Sequence, residues 1–92
     1  MAKSSPSKNP QTFSITAPGA LRVQLVGTFT HWQNQAISME KGTDGVWRTT
    51  VDLRPGEHHY RFIVDGEWRD DPDCAMYVNN AYGSRDAVRK VS

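Results

Sequence analysis

Short apolar stretches recur about every ten residues from Thr12 onward, and turn residues separate them. Within these stretches apolar and polar side chains alternate, as they do from Phe13 to Thr16. That alternation is typical of a strand with one buried face, and no stretch keeps the period of a helix. The pattern predicts an all-β chain that folds as an antiparallel sandwich or barrel.

Seven strands are predicted from this pattern, at residues 13–15, 21–26, 37–39, 47–53, 58–64, 67–70 and 87–91. Turns are indicated by Pro18-Gly19, Pro55-Gly56 and Asp65-Gly66, and a loop is indicated by residues 71–85. Residues 1–11 consist largely of Ser, Lys, Pro and Asn and cannot bury enough surface to offset ordering. We therefore predict a flexible N-terminal tail over residues 1–11 and one folded domain over residues 12–92.

Asp65-Gly66 is the strongest hairpin signal in the chain. A two-residue turn at this position sets the register of the two strands that it joins. The predicted pairs are Val64 with Glu67, Ile63 with Trp68, and Phe62 with Arg69.

This register predicts which side chains share a face, because side chains alternate along a strand. The face assigned to the core carries Tyr60, Phe62 and Val64. Trp68 then lies on the opposite face beside Arg61 and His59. A broad indole ring there can stack on a flat apolar ligand face while Arg61 donates hydrogen bonds to hydroxyls. The alternative is that a loop covers Trp68 and makes it a satellite core residue.

The other two tryptophans differ in their sequence surroundings. Trp47 alternates in phase with Val51 and Leu53, which indicates core packing. Trp32 lies in a polar loop over residues 28–35, where a large aromatic side chain is unfavourable in water. It either plugs one end of the sandwich or is displayed for a ligand.

Composition narrows the classes of function. The chain has 92 residues, a net charge of +1 and one cysteine, Cys74, so no internal disulfide can form. A near-zero net charge argues against nucleic acid and against a membrane surface as partners. The apolar runs are far shorter than the ~20 residues of a membrane span, and residues 1–8 lack the apolar core of a secretory signal. We therefore expect a soluble domain in the cytoplasm.

Candidate catalytic and metal-binding groups lack the context that their chemistry needs. Three histidines occur without a carboxylate cluster at ligand spacing: His31, His58 and His59. Asp70, Asp71 and Asp73 lack EF-hand spacing, so we assign them to a solvated turn. Cys74 has no activating context in the sequence. We expect no cofactor, no metal and no enzymatic activity.

Four segments, in order, resemble the motifs of one family. Residues 23–32, VQLVGTFTHW, resemble the opening V-x-L-x-G-x-F-N-x-W, and residues 44–47 and 51–56 resemble DGxW and V-x-L-x-x-G. Residues 60–69, YRFIVDGEWR, with Asp71-Pro72, resemble Y-K-F-x-V-D-G-x-W followed by D-P. These motifs belong to the glycogen-binding modules of the AMP-activated protein kinase β subunit and of branching and debranching enzymes. The resemblance extends from about residue 13 to residue 91.

The resemblance implies an immunoglobulin-like antiparallel β-sandwich of about seven strands that binds α-1,4-linked glucans without catalysis. It implies that Trp32 and Trp68 stack on glucose rings and that Arg61 hydrogen-bonds sugar hydroxyls. Its last binding loop implies four further contacts in this chain: Asn80, Tyr82, Ser84 and Asp86. The expected ligands are glycogen, starch, maltooligosaccharides and cyclodextrin, and an α-glucan-metabolising enzyme or a kinase is the expected protein partner.

The sequence departs from the family pattern at several of these positions. Thr30 stands where the family usually has Asn, and Arg61 replaces the usual Lys, which keeps the charge but offers a planar fork. Asp86 replaces the usual Asn and, when ionised, can only accept hydrogen bonds. Tyr82 replaces an apolar residue and is a candidate third stacking surface. These changes bear on affinity and on the preferred chain length.

A function of a different class remains open at this point. The domain could be a protein-interaction or scaffold module that regulates an α-glucan enzyme or a kinase. The aromatic face would then contact a protein, and glucans would have no effect on the domain.

Overall fold

The computed structural model describes residues 9–81 and 83–92. Within these residues the chain forms nine strands and two short 3₁₀ turns. The strands are β1 (Pro10–Thr16), β2 (Val23–Gly27), β3 (Ile37–Ser38), β4 (Glu40–Lys41), β5 (Val46–Asp52), β6 (Gly56–Val64), β7 (Glu67–Arg69), β8 (Tyr77–Asn79) and β9 (Arg85–Val91). No helix among the described residues is long and apolar enough to cross a membrane.

Most of the predicted tail, residues 1–8, lies outside the described residues. The first strand begins at Pro10, two residues before the predicted start of the domain at Thr12. Pro10 and Gln11 pair with Asp52 and Val51 of β5. The folded part therefore begins earlier than the composition indicates, because backbone pairing with β5 continues past the last alternating apolar residue.

The strands form two sheets, and every pair is antiparallel. The smaller sheet has the order β1-β5-β4, and the larger has the order β3-β2-β6-β9-β8, with β7 paired to β6. Phe13 of the smaller sheet meets Tyr60 of the larger sheet edge to face, with ring centroids 4.8 Å apart. The prediction of an all-β antiparallel sandwich is confirmed, with nine strands in the described residues rather than about seven.

One apolar core lies between the sheets. Its buried members are Phe13, Ile15, Ala20, Val23, Leu25, Met39, Trp47, Leu53, Tyr60, Phe62, Val64, Ala87 and Val91. Trp47 belongs to this core as predicted, and its indole Nε1 donates a hydrogen bond to the Ala17 carbonyl at 2.9 Å. Phe29, from the loop after β2, packs against the same core.

Strand β6 changes its partner strand along one edge, and the site lies where the partner changes. One edge pairs with β2 over residues 60–64. On the other edge β9 pairs with residues 56–60 and β7 pairs with residues 62–64. Arg61 falls between the two partners, at the point where β9 leaves β6 and β7 begins. A gap in strand pairing therefore opens beside Arg61.

The hairpin prediction is confirmed in its register. Val64, Ile63 and Phe62 pair with Glu67, Trp68 and Arg69 in that order. Both turn residues have positive φ, 49° at Asp65 and 84° at Gly66, which a two-residue hairpin turn of type I′ requires. Tyr60, Phe62 and Val64 all point into the core, as the alternation predicts.

Three strand predictions need correction. Leu21 was expected to alternate with buried Val23, but it is 90% exposed, because β2 begins only at Val23 and Asp65 Oδ1 accepts the Leu21 and Arg22 N–H groups. The predicted strand at residues 37–39 is divided into β3 and β4, which belong to different sheets. Between them the buried Met39 donates its N–H to the Val23 carbonyl. The predicted loop over residues 71–85 contains β8.

Candidate functional site

A cavity of about 560 Å³ opens on the outer face of the larger sheet, beside the gap at Arg61. Its lining residues are Trp32, Arg61, Trp68, Asn80 and Asp86. They come from three separate segments of the chain: the loop after β2, the β6–β7 hairpin, and the turn between β8 and β9 together with the start of β9. Five of the seven predicted site residues therefore meet in one place.

Two indole rings form one wall of the cavity. The ring centroids of Trp32 and Trp68 are 6.3 Å apart, and their planes are tilted by 40°. Trp68 is 40% exposed, so no loop among residues 9–81 and 83–92 covers it as the satellite-core alternative required. Trp32 is half-buried and lies against Trp68 on the outer face, which favours display over a plug between the sheets.

Below the rings the outer face is apolar. Register places Val26 opposite Arg61, Ile63 opposite Trp68, and Val88 opposite His59. Val26, Ile63 and Val88 are buried, yet they are not part of the core between the sheets. A second, smaller apolar layer thus supports the site, and a firm base of this kind limits the rotamers available to the rings above it.

The loop that carries Trp32 is held by Thr30. The Thr30 hydroxyl accepts the Gly27 N–H at 2.9 Å and lies 2.8 Å from the Trp32 carbonyl oxygen, to which it can donate. His31 and Trp32 have φ angles of 50° and 57°, in the left-handed region that non-glycine residues rarely adopt. Buried Thr30 therefore fixes a backbone path that the local sequence alone would disfavour.

Gly27 permits this loop to begin where it does. A Cβ atom at Gly27 would lie 2.4 Å from the His59 carbonyl oxygen and 2.9 Å from the Phe29 ring. A side chain at this position would push the loop away from β6. The glycine of the V-x-L-x-G motif is therefore required by close packing. It is not required by backbone conformation, because the backbone at Gly27 is extended and has no positive φ.

Arg61 lies behind the indole of Trp68. Its guanidinium carbon is 5.6 Å from the Trp68 ring centroid, within the range of a cation–π contact. Its Nη2 is 3.3 Å from Asp70 Oδ1, and the side chain is 14% exposed. Among the described residues, Arg61 Nε and Asp70 Oδ1 are buried and have no hydrogen-bond partner.

The turn between β8 and β9 and the start of β9 supply the other polar lining residues. Asn80 Nδ2 donates to Asp86 Oδ1 at 3.0 Å, and Asp86 is buried. Asn80 also closes the turn, since its N–H donates to the Ser84 carbonyl and its Oδ1 accepts the Ser84 N–H. Ser84 is exposed and does not line the cavity. The predicted contact at Tyr82 lies outside the described residues.

The solvated turn predicted for Asp70, Asp71 and Asp73 is wrong for the first two of these residues. Asp71 is 6% exposed, and its carboxylate accepts the Tyr60 hydroxyl at 2.6 Å and the Asp73 N–H at 2.9 Å. Asp70 contacts Arg61 and accepts a hydrogen bond from Arg85 Nε at 2.9 Å, which raises the pKa of Arg85. The arginine partners come from other strands, so local sequence carries no signal for these contacts.

Among residues 9–81 and 83–92, no three His, Cys, Asp or Glu side chains come together as a metal site requires. The cavity instead combines tilted apolar rings with amide, guanidinium and carboxylate groups. Such a set can stack on flat apolar faces and exchange hydrogen bonds with several hydroxyls.

A small β-sandwich that presents a tryptophan pair, with guanidinium, amide and carboxylate groups, at one cavity has the features of a carbohydrate-binding module. The chain matches the family described as the glycogen recognition site of AMP-activated protein kinase, over residues 9–91. It belongs to this family, as the motifs in the sequence predict.

The relatives that the chain matches are longer proteins, and the chain covers a different share of each one. The chain is 41% identical over 73 residues to the chloroplastic Protein PTST homolog 2 of Arabidopsis thaliana, covering 78% of this chain and 14% of that protein. It is 38% identical over 63 residues to the chloroplastic Protein FLOURY ENDOSPERM 6 of rice, covering 68% of this chain and 12% of that protein. It is 34% identical over 70 residues to the pig 5'-AMP-activated protein kinase subunit beta-1, covering 76% and 54%. The chain thus spans between about an eighth and a half of these relatives.

Proposed function

We propose that this domain binds α-1,4-linked glucan chains and catalyses no reaction on them. The observation that carries the proposal is the convergence of Trp32, Trp68 and Arg61 on one cavity of a glycogen-recognition fold. The rings supply stacking surfaces, and the guanidinium supplies hydrogen-bond donors. A ligand with flat apolar faces and a rim of hydroxyls matches both.

The tilt between the rings favours a coiled glucan. Successive glucose units of an α-1,4-linked chain turn relative to one another, whereas a β-1,4-linked chain is a flat ribbon. Two ring planes tilted by 40° at 6.3 Å can each meet one unit of a turning chain. A flat ribbon would meet one ring squarely and the other at an angle.

Polar contacts in this proposal come from β6 and from the segment that joins β8 to β9. Arg61 and Asn80 offer donors to sugar hydroxyls, and Asp86 offers acceptor oxygens, one of which accepts from Asn80. Ser84, in the turn that Asn80 closes, would contact a longer chain that extends beyond the cavity, and the contact at Tyr82 stays a prediction from the sequence. The cytoplasmic location expected from the sequence stays a prediction.

We also propose that the domain brings a partner to glucan. The relatives that it matches are longer proteins, of which it spans about an eighth to a half. A non-catalytic module of this size is suited to holding an attached or associated enzyme or kinase near the polymer.

Titration with maltoheptaose, followed by intrinsic tryptophan fluorescence, tests the proposed binding. We expect a Kd on the order of tens of micromolar to millimolar, because an open site buries little of the ligand. β-Cyclodextrin should also bind, since it is a closed ring of the same linkage. Cellohexaose, with β linkages, should bind far more weakly.

Matched variants locate the binding. Trp68→Ala should weaken maltoheptaose binding about ten-fold or more, because a stacking indole is lost. Leu21→Ala removes another exposed apolar side chain, one that does not line the cavity, and should leave the Kd unchanged. The proposal fails if folded protein binds no α-glucan, or if Trp68→Ala binds as well as the parent chain.

A further inference from the structure

Asp70 is shared between two arginines at the edge of the cavity. Its Oδ1 is 3.3 Å from Arg61 Nη2, and its Oδ2 accepts a hydrogen bond from Arg85 Nε at 2.9 Å. Arg61 lies on β6, and Arg85 opens β9, the strand that leaves β6 just before Arg61. One carboxylate therefore bridges the gap in strand pairing.

Each arginine also lies over an aromatic ring. The Arg61 guanidinium carbon is 5.6 Å from the Trp68 ring centroid, and that of Arg85 is 3.9 Å from the Tyr77 ring centroid. Contact with a ring face restricts the distance of a guanidinium from that face but not its rotation above the ring. A carboxylate at the edge of the guanidinium restricts that rotation. Because Arg61 Nε has no acceptor among the described residues, Asp70 is the charged group that orients the Arg61 guanidinium.

The same arrangement leaves the site without net charge. Arg61 and Arg85 carry two formal positive charges, and Asp70 and Asp86 carry two formal negative charges. Asp86 is buried, and the Asp70 atom that faces Arg61 is buried as well. Charges that are partly withdrawn from water are screened less than those on an open surface, so removing one of them would change the local potential appreciably.

We infer that Asp70 positions Arg61 for the glucan and, by balancing the two arginines, makes the site select neutral over phosphorylated glucan chains. The inference rests on the proposed function and adds to it a residue that determines specificity. A neutral glucan chain meets the Arg61 guanidinium in a fixed orientation. A phosphate group on the chain gains little attraction from Arg61 and Arg85, because Asp70 already pairs with both.

Asp70→Asn tests this inference with two ligands, maltoheptaose and a phosphorylated maltoheptaose. The variant keeps the size of the side chain but removes its charge. We expect weaker binding of the neutral chain, and an affinity ratio that moves toward the phosphorylated chain by about three- to ten-fold. The Arg61 Nε–H resonance should shift and exchange faster with water, a signature that a general loss of stability would not confine to this group.

Three further variants test the direction in which the affinity ratio changes. Arg85→Gln removes a positive charge from an exposed side chain and should move the ratio in the opposite direction, toward the neutral chain. Asp70→Glu keeps the charge and should keep the ratio close to that of the parent. Glu57→Gln removes a negative charge from an exposed ion pair with Lys90 at the other end of β6 and should not change the ratio.

The outcomes separate this inference from the proposed function. If the parent chain binds neither ligand, the proposed function itself fails. If the parent chain binds maltoheptaose but Asp70→Asn leaves both the ratio and the Arg61 resonance unchanged, only the role of Asp70 is overturned. A ratio that shifts equally in Glu57→Gln would also overturn it, because the effect would then be one of total charge.

Discussion

Thr30 is the side chain on which the backbone around Trp32 depends. Its hydroxyl is buried, accepts the Gly27 N–H and reaches the Trp32 carbonyl oxygen. An Asn is usual at this position in the resembled family, and a shorter hydroxyl side chain performs the local bonding here. Thr30 does not line the cavity, yet it fixes the backbone position of Trp32, which does.

Thr30→Val should lower the free energy of unfolding by about 1–3 kcal/mol, because the shape is kept while buried hydrogen bonds are lost. It should also weaken maltoheptaose binding, since Trp32 no longer has a fixed backbone position. Urea denaturation and fluorescence titration measure the two effects. Thr30→Ser keeps the hydroxyl and should bind nearly as well as the parent chain. Equal binding by the Val variant would refute the dependence of Trp32 on Thr30.

Single residues also mark the limit of what sequence can predict. Trp68 and Arg61 were placed on one face by hairpin register alone, because both lie within a few residues of the turn. The contact of Asp70 with Arg85 carries no signal in the sequence, because Arg85 lies fifteen residues later and reaches Asp70 only through the path of β9. Contacts fixed by a local turn can be predicted, and contacts fixed by strand order cannot.

At the level of elements, the β6–β7 hairpin decides where Trp68 lies. Its turn has positive φ at both residues, 49° at Asp65 and 84° at Gly66. Asp65 has a second role, since its Oδ1 accepts the N–H groups of Leu21 and Arg22 at 2.9 Å each. The turn thus connects the hairpin to the start of β2.

Gly66→Ala should destabilise the fold by about 1–2 kcal/mol, because a Cβ is unfavourable at this φ angle. The neutral-glucan affinity should fall as well if the hairpin loosens. Gly19→Ala is the matched control, because a Cβ there meets no atom within 4 Å and Gly19 is not among the glycines with positive φ. Thermal unfolding compares the two variants. Equal losses of stability would show that backbone conformation at Gly66 is unimportant.

Other elements could not be predicted for physical reasons. Strand β8 has three residues, too few for alternation to be detected, and its strand conformation comes from its pairing with β9. β3 and β4 have two residues each, too few for alternation to be detected, and they join different sheets. The longer strands β5 and β6 can be predicted because each is long enough for the alternation of apolar and polar residues to repeat several times.

At the scale of the whole molecule, Tyr60 links the larger sheet, to which it belongs, with the smaller sheet and with the segment after β7. Its ring meets Phe13 of the smaller sheet, and its hydroxyl donates to Asp71 in the segment after β7. The Tyr77 hydroxyl donates to the carbonyl oxygen of the same Asp71. The core and the segment that leads to the binding turn are therefore joined by one buried and one partly buried hydrogen bond.

Burial, and then the hydrogen bond to Asp71, raise the pKa of Tyr60 above its usual value of 10.0. A raised folded-state pKa means that the stabilising contribution is complete below pH ~10 and is lost as the pH rises further. The parent chain should therefore lose stability steeply above pH ~10, and Tyr60→Phe should lose it less steeply. Urea denaturation across this alkaline range measures both slopes. Parallel slopes would contradict the role assigned to Tyr60.

The three segments that form the site have a consequence for folding itself. None of them holds the complete set of ligand contacts, so an unfolded chain has no site to offer. A glucan that binds only the native state shifts the folding equilibrium by mass action, by about 2.7 kcal/mol at a free concentration one hundred times its Kd. The polymer would then act as a thermodynamic stabiliser of its own receptor, and the domain would be most resistant to unfolding where glucan is most abundant.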